Sequence, residues 1–342
     1  MPKVQVHKIA SSTAGTIAGR EIEIGEGRAV RVGDVVVVEA LEEKSVYDQL
    51  ELVTGRMAKI SKGDVIAGAL GARKALKGFV GHVPKEVRAG ETLHVLNLGG
   101  VIGIATSANR DFGEPLKVKL LGVAVRDGAT VNITDGATPP ADRLTCQKPI
   151  VLVAGTCMNA GKTRAACEII SRLNQKGYRV GAMKVSGVAC LKDTLNMEDH
   201  GAVDSLSFLD AGHPSTAGFE DLVPMARGLL NEMGHKDIHC IVVELGDGII
   251  GGYGVASLYK DAAIVKAVRA HVLCANDLVA AWGARELSIH QLGRPIDVMS
   301  GPATDNDVGE RYVEDELEIP AANARTRGAK LAEIVEAKLF PK

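Results

Sequence analysis

The sequence lacks any long unbroken apolar run. Across its 342 residues, charge or glycine interrupts each hydrophobic stretch well before the ~18 residues that a membrane-spanning helix needs. The opening MPKVQVHKIASS also has no apolar core of the kind a secretory leader carries. The expectation is a cytoplasmic protein that neither enters a membrane nor is exported. A charge excess is missing too: 40 Lys and Arg stand against 42 Asp and Glu, a formal net charge of −2. No bulk field therefore draws nucleic acid or an anionic bilayer, and a small-molecule substrate is the expected partner. The six cysteines, Cys146, Cys157, Cys167, Cys190, Cys240 and Cys274, form no CxxC pair. That spacing excludes a disulfide framework and a zinc knuckle and leaves reduced thiols packed as small apolar groups. There is no internal repeat and no low-complexity tract.

The length exceeds what one hydrophobic core usually serves, and a hydrophobic fraction of 46% can fill two. Residues 1–145 read as short β-prone stretches, among them 35–38, 93–98 and 116–125, separated by Gly and Asp turn signals, as in an antiparallel barrel or sandwich. Residues 42–59 could instead form a helix, because Val46, Leu50, Leu52 and Met57 allow an apolar face. The run DGATPPAD at 135–142 is the expected linker. From residue 146 to 342 strand and helix patterns alternate, which predicts a parallel sheet with helices on its faces. The expected strands are 150–154, 179–185, 240–244, 270–274 and 296–299, and the expected helices include 162–175 and 326–339. The fold class is therefore α/β, preceded by a β-rich domain.

Residues 151–163, VLVAGTCMNAGKT, join an apolar strand to a glycine-containing loop and a helix that opens with Lys and Thr. Such a loop turns backbone N–H groups toward phosphate oxygens, and the helix start adds its partial positive charge. Lys162 would reach the terminal phosphates, and the Thr163 hydroxyl would ligate Mg²⁺. Gly155, Thr156, Asn159, Ala160 and Gly161 complete the expected cradle. Five residues separate Gly155 from Gly161, where the common pattern has four. The bland alternative is a strand-to-helix turn that merely contains Gly-Lys-Thr.

GTCMNAGKT resembles the GT-x-x-x-x-GKT loop of the dethiobiotin synthetase family, within the P-loop class that includes the nitrogenase iron protein and MinD. AMKVSG at 182–187 is similar to the second-strand K-P-V-x-S-G of that family, with Val185 in place of proline, and the resemblance gives Lys184 a substrate contact. NMEDHGA at 196–202 is similar to the stretch whose aspartate completes the Mg²⁺ shell; Asp199 is the match and Asp204 its competitor. IVVELGDG at 241–248 is similar to V-E-G-A-G-G, mapping Glu244 onto a magnesium-binding carboxylate. The resemblance covers residues 149–310; residues 1–145 have no counterpart. It implies ATP and Mg²⁺ as cofactors, and relatives in the class are often dimers, so a homodimer is expected.

The residues support part of this alone. Mg²⁺ prefers a hydroxyl, one or two carboxylates and phosphate oxygens, and Glu244 ends an apolar run at the carboxyl edge of the sheet, where open α/β folds bind ligands. A helix-capping or salt-bridged Glu is the alternative. Lys184 could equally be a snorkelling surface lysine. Asn276 and Asp277 would lie at the same edge, and so would residues 300–306, SGPATDN, with Pro302, a stretch that resembles the place where the P-loop class holds the nucleobase. His213, in a turn-rich loop, is a candidate substrate contact, and Cys157 reads as a spacer. No N-K-x-D or T-K-x-D run provides a guanine clamp, which favours ATP. The reading is an ATP- and Mg²⁺-dependent ligase or kinase acting on a small carboxylate, carbamate or amine. A nucleotide-switched accessory protein is the alternative.

Overall fold

The computed structural model of the chain describes residues 1–26 and 29–341. The chain divides into two compact units, Met1–Thr138 with Val188–Lys192 and Phe208–Gly218, and Pro139–Gly187 with Asp193–Ser207 and Phe219–Lys342. The division falls inside the expected linker, but the expected boundary at 145 misses both returns of the chain to the first unit. Local polar pairing explains them. The Glu51 carboxylate accepts from the backbone N–H groups of Leu191 and Lys192 at 2.6 and 2.7 Å. The Asn97 amide donates to the Ala189 carbonyl at 2.6 Å.

In the first unit, five strands close on themselves. Leu116–Arg126 pairs antiparallel with Val35–Ala40, which pairs antiparallel with Val65–Leu70. Val65–Leu70 pairs parallel with Val101–Ala108, and Thr92–Val95 returns the ring antiparallel to Leu116–Arg126. The expected antiparallel barrel thus has one parallel seam, because about thirty residues cross over between the two strands of that seam, enough for a parallel connection. Val35, Val36, Val37 and Val38 are all fully buried. Val36 and Val38 join one apolar cluster, Val35 and Val37 another, so an unbroken Val run here means burial on both faces.

Residues 42–59 are not a helix. They end in the antiparallel hairpin of Gln49–Glu51 with Met57–Lys59. Gly55, at φ +78°, turns the chain where the Leu52 N–H meets the Arg56 carbonyl at 2.9 Å. Tyr47, at φ +60°, already leaves helical backbone. Leu50 is buried as a strand residue, so its apolar neighbours do not form a helical stripe.

The second unit holds a six-stranded, all-parallel sheet. Its strands are β1 (Ile150–Gly155), β2 (Val180–Ser186), β3 (Ala202–Ser207), β4 (Cys240–Leu245), β5 (Val268–Cys274) and β6 (Val298–Ser300), in the order β3-β2-β4-β1-β5-β6. The main helices are α1 (Lys162–Gln175), α2 (Lys192–Asp199), α3 (Val223–Gly234), α4 (Leu278–Leu287) and α5 (Gly328–Leu339). Every residue of β1, β2 and β4 is buried, as strands covered on both faces require. On α1, Ala165, Ala166, Ile169, Ile170 and Leu173 recur at helical spacing and pack with Leu331, Val335 and Leu339 of α5. The chain leaves β1 toward β2 on one side and later crosses β1 to reach β5 on the other. That reversal opens a crevice at the carboxyl ends of β4, β1 and β5. No helix among the described residues is long and apolar enough to cross a membrane.

Candidate functional site

The loop between β1 and α1 occupies this crevice, giving the second unit a P-loop α/β architecture. Gly161 caps α1 with left-handed backbone at φ +91°, and Asn159 takes φ +62°. Gly155 is set by close approach: a Cβ there would lie 2.9 Å from the Lys162 side-chain stem and 3.1 Å from the Cys274 carbonyl. The missing side chain lets the lysine lie across the strand end. Gly248 plays the same part after β4, where a Cβ would come within 2.4 Å of the Thr156 carbonyl oxygen. The Thr156 N–H donates to the Cys274 carbonyl at 2.9 Å, and Ala160 is fully buried. The loop is thus fixed by the ends of its neighbouring strands.

Four charged groups and a hydroxyl converge beside it. Lys162 is only 6% exposed, and its ammonium donates to the Cys157 carbonyl at 2.8 Å. Thr163 Oγ1 donates to Glu244 Oε1 at 2.9 Å. Glu244 Oε2 is buried with no hydrogen-bond partner. Lys184 and Glu244 are register partners on β2 and β4, which aims both side chains to one face of the sheet. Lys184 Nζ is bonded to the carboxylate of Asp193 in the first turn of α2. Burial pushes the Glu244 carboxyl above its ordinary range; Lys184 opposes the shift, Asp193 adds to it, and Lys162 and the Thr163 hydrogen bond oppose it. Burial likewise lowers Lys162, with Glu244 opposing.

These groups suit a divalent cation. An ionised carboxylate that keeps one buried oxygen unpartnered is costly without a counter-charge. Thr163 Oγ1, Glu244 Oε2 and Asp193 could supply hard oxygen donors of the kind Mg²⁺ takes, with phosphate and water for the remaining positions. Buried Thr156 Oγ1, in the same loop, also has no hydrogen-bond partner.

Sequence reasoning selected Asp199, and the structure places it exposed in the last turn of α2. Asp193 lies six residues earlier, ~9 Å along the helix axis, and is the α2 carboxylate that meets Lys184. No local motif marks Asp193; the signal is its place in the first turn of the helix that follows the lysine strand. Asp204 lies on β3 and pairs with Lys236 at 2.9 Å. Asp247 follows β4 in left-handed backbone at φ +65°, and burial raises its carboxyl while Lys162 opposes. Its place between Gly246 and Gly248 at the end of β4 sets its carboxylate within the influence of Lys162, and sequence reading passed over it.

Beyond β5, the Asn276 amide donates to Cys157 Sγ at 2.8 Å, which ties it to the phosphate loop. Asp277 caps α4 by accepting from the Ala280 N–H at 2.8 Å. Pro302, itself exposed, opens a single 3₁₀ turn after β6 whose other residues, Ala303 and Thr304, are buried. The turn is held by buried Asn323, whose amide donates to the Gly301 carbonyl at 3.1 Å and to Asp305 at 2.8 Å. His213 belongs to the first unit, where burial lowers its imidazole.

No family model and no curated protein matches the chain. Among solved structures, it is similar to chloroplast FtsY from Physcomitrella patens, at 17% identity and a TM-score of 0.39 over 61% of this chain and 70% of that one. It is also similar to the hydrogenase maturation factor HypB from Archaeoglobus fulgidus, at 15% identity and a TM-score of 0.39 over 57% of this chain and 92% of that one. A third likeness is to a DUF1611 family protein from Anabaena variabilis, at 13% identity and a TM-score of 0.36 over 64% of this chain and 66% of that one. At such identities and scores, the chemistry of the site rests on its own side chains.

Proposed function

We propose that this chain is an ATP- and Mg²⁺-dependent phosphoryl-transfer enzyme, a ligase or kinase acting on a small carboxylate, carbamate or amine, with chemistry similar to dethiobiotin synthetase. The observation that supports it best is Glu244, buried against Thr163 with one oxygen unpartnered. The loop from Gly155 to Gly161 would hold the nucleotide phosphates by its backbone N–H groups and the α1 N-terminus. Lys162 would exchange the Cys157 carbonyl for a terminal phosphate oxygen. Mg²⁺, when bound, supplies charge neutralisation at the transferring group, and Thr163, Glu244 and Asp193 are the residues to hold it. Lys184, kept in place by Asp193, would neutralise an incoming oxyanion and line it up with the phosphoryl group. Catalysis of this kind is positioning and charge stabilisation and needs no nucleophile from the protein.

The test is ADP release by the purified protein, measured against a panel of carboxylates, carbamates and amines and separately against size-fractionated cell lysate. Stimulation by a small molecule, with a product gaining the mass of phosphate or carbon dioxide, is expected. Stimulation only by the macromolecular fraction would replace this reading with a nucleotide-switched accessory protein.

A further inference from the structure

The amino-terminal edge of the parallel sheet, at the other end of β1 from the phosphate loop, carries a separate pocket of about 500 Å³. Three pieces of chain build it: the segment just before β1, the helix Ala262–Ala267 with the start of β5, and the end of α5. Four of its lining residues are cationic, Lys148, Lys266, Arg269 and Lys338, and none is acidic. Lys338 is shared with Asp297 at 2.9 Å. Among the described residues, no carboxylate lies within ion-pairing distance of the other three. Lys148 is half-buried and Lys266, Arg269 and Lys338 are exposed, and in a chain of net charge −2 nothing about bulk composition forces that grouping of like charge. An anion in the pocket is attracted by all four.

The rest of the lining sets what kind of anion fits. Leu144, Pro149, Ala263, Ala267 and Leu339 give an apolar wall, and the volume lies within the ~300–1,000 Å³ of small-molecule sites. Arg269 offers a planar fork for two oxygens of one phosphate, and the lysines act as point charges. β1 has six residues, at ~3.3 Å each, so a ligand here cannot also reach the phosphate loop. We infer that this pocket is a second anion site, which takes a small phosphate-bearing molecule with an apolar body.

The inference does not rest on the function proposed for the phosphate loop, and the experiment keeps the two apart. Inorganic pyrophosphate is titrated calorimetrically into full-length Lys162→Ala protein at low ionic strength. The same titration is made on that protein carrying Lys148→Glu with Arg269→Glu, and with Lys148→Gln and Arg269→Gln where the glutamates prevent folding. One pyrophosphate per chain is expected, weakened at least tenfold by either pair of substitutions and weakened by salt as the Debye length falls from ~10 Å at 0.1 M to ~3 Å at 1 M. The pair placed in the Lys162 protein should leave Mg-ATP binding unchanged. Absence of pyrophosphate binding in Lys162→Ala overturns the inference, and so does binding that ignores the substitutions. Tighter binding of a single-stranded oligonucleotide, lost on the same substitutions, overturns the small-molecule class.

Discussion

Replacing Glu244 with Gln should stabilise the protein when no nucleotide is present. Wild-type Glu244 is 2% exposed, and its carboxylate keeps Oε2 without a partner. An unsatisfied buried acceptor costs about 1–3 kcal/mol, and more when it is ionised. The amide keeps an acceptor for Thr163 and removes the charge, so a gain on the order of 1–2 kcal/mol is expected, which corresponds to a few degrees in Tm. The sign with pH follows from burial raising the carboxyl above its ordinary value of 4.5. The stability of the protonated wild-type form is fully present below that value and is lost as pH rises through the raised one. The gap between variant and wild type should therefore be small near pH 4 and widest above neutrality. Mg-ATP should reverse the order, because a ligand at 100 times its Kd adds about 2.7 kcal/mol to the state that binds it. Thermal melts from pH 4 to 9, with and without Mg-ATP, measure both effects. A Glu244→Gln protein less stable than wild type at every pH without nucleotide would refute the reasoning and make Glu244 a structural anchor.

Asp193→Asn should lower ATP turnover at least tenfold by freeing Lys184 and removing an oxygen donor, whereas exposed Asp199→Asn should stay within twofold; steady-state ADP release compares them, and equal losses would contradict the assignment. Gly248→Ala places a Cβ 2.4 Å from the Thr156 carbonyl oxygen, so it should displace the phosphate loop and cost at least tenfold in ATP affinity while the far-ultraviolet circular dichroism is retained.

In the parallel sheet, β3 (Ala202–Ser207) was not expected, because Asp204, Ser205 and Ser207 interrupt its apolar pattern. The other five of its six strands were legible because each is a short, mainly apolar run, and β1, α1 and β4 fall within a residue of expectation. The phosphate loop was legible for the same reason: glycine, Lys162 and Thr163 are needed at fixed places along one continuous segment. The pairing of Asp193 with Lys184 was not, because it depends on where α2 begins relative to a separate strand, a tertiary relation with no spacing rule. Asp247 is marked by its backbone conformation, which the letters GDG only permit. The hairpin at 49–59 defeated the helical reading because Val46, Leu50 and Leu52 also fit a strand, and the turn at Gly55 decides between them. The two returns of the chain to the first unit depend on Glu51 and Asn97, more than 90 residues distant along the chain, and short-range patterns cannot carry that information.

The most direct test of the central claim is calorimetric titration of ATP into the wild-type and Lys162→Ala proteins, each with Mg²⁺ and with chelator. The geometry predicts one ATP per wild-type chain, at least tenfold weaker without Mg²⁺, and at least tenfold weaker in Lys162→Ala, a loss of ~1.4 kcal/mol or more, with the variant's fold unchanged. Equal affinity in wild type and Lys162→Ala, or no binding of millimolar ATP to the wild type, would contradict it.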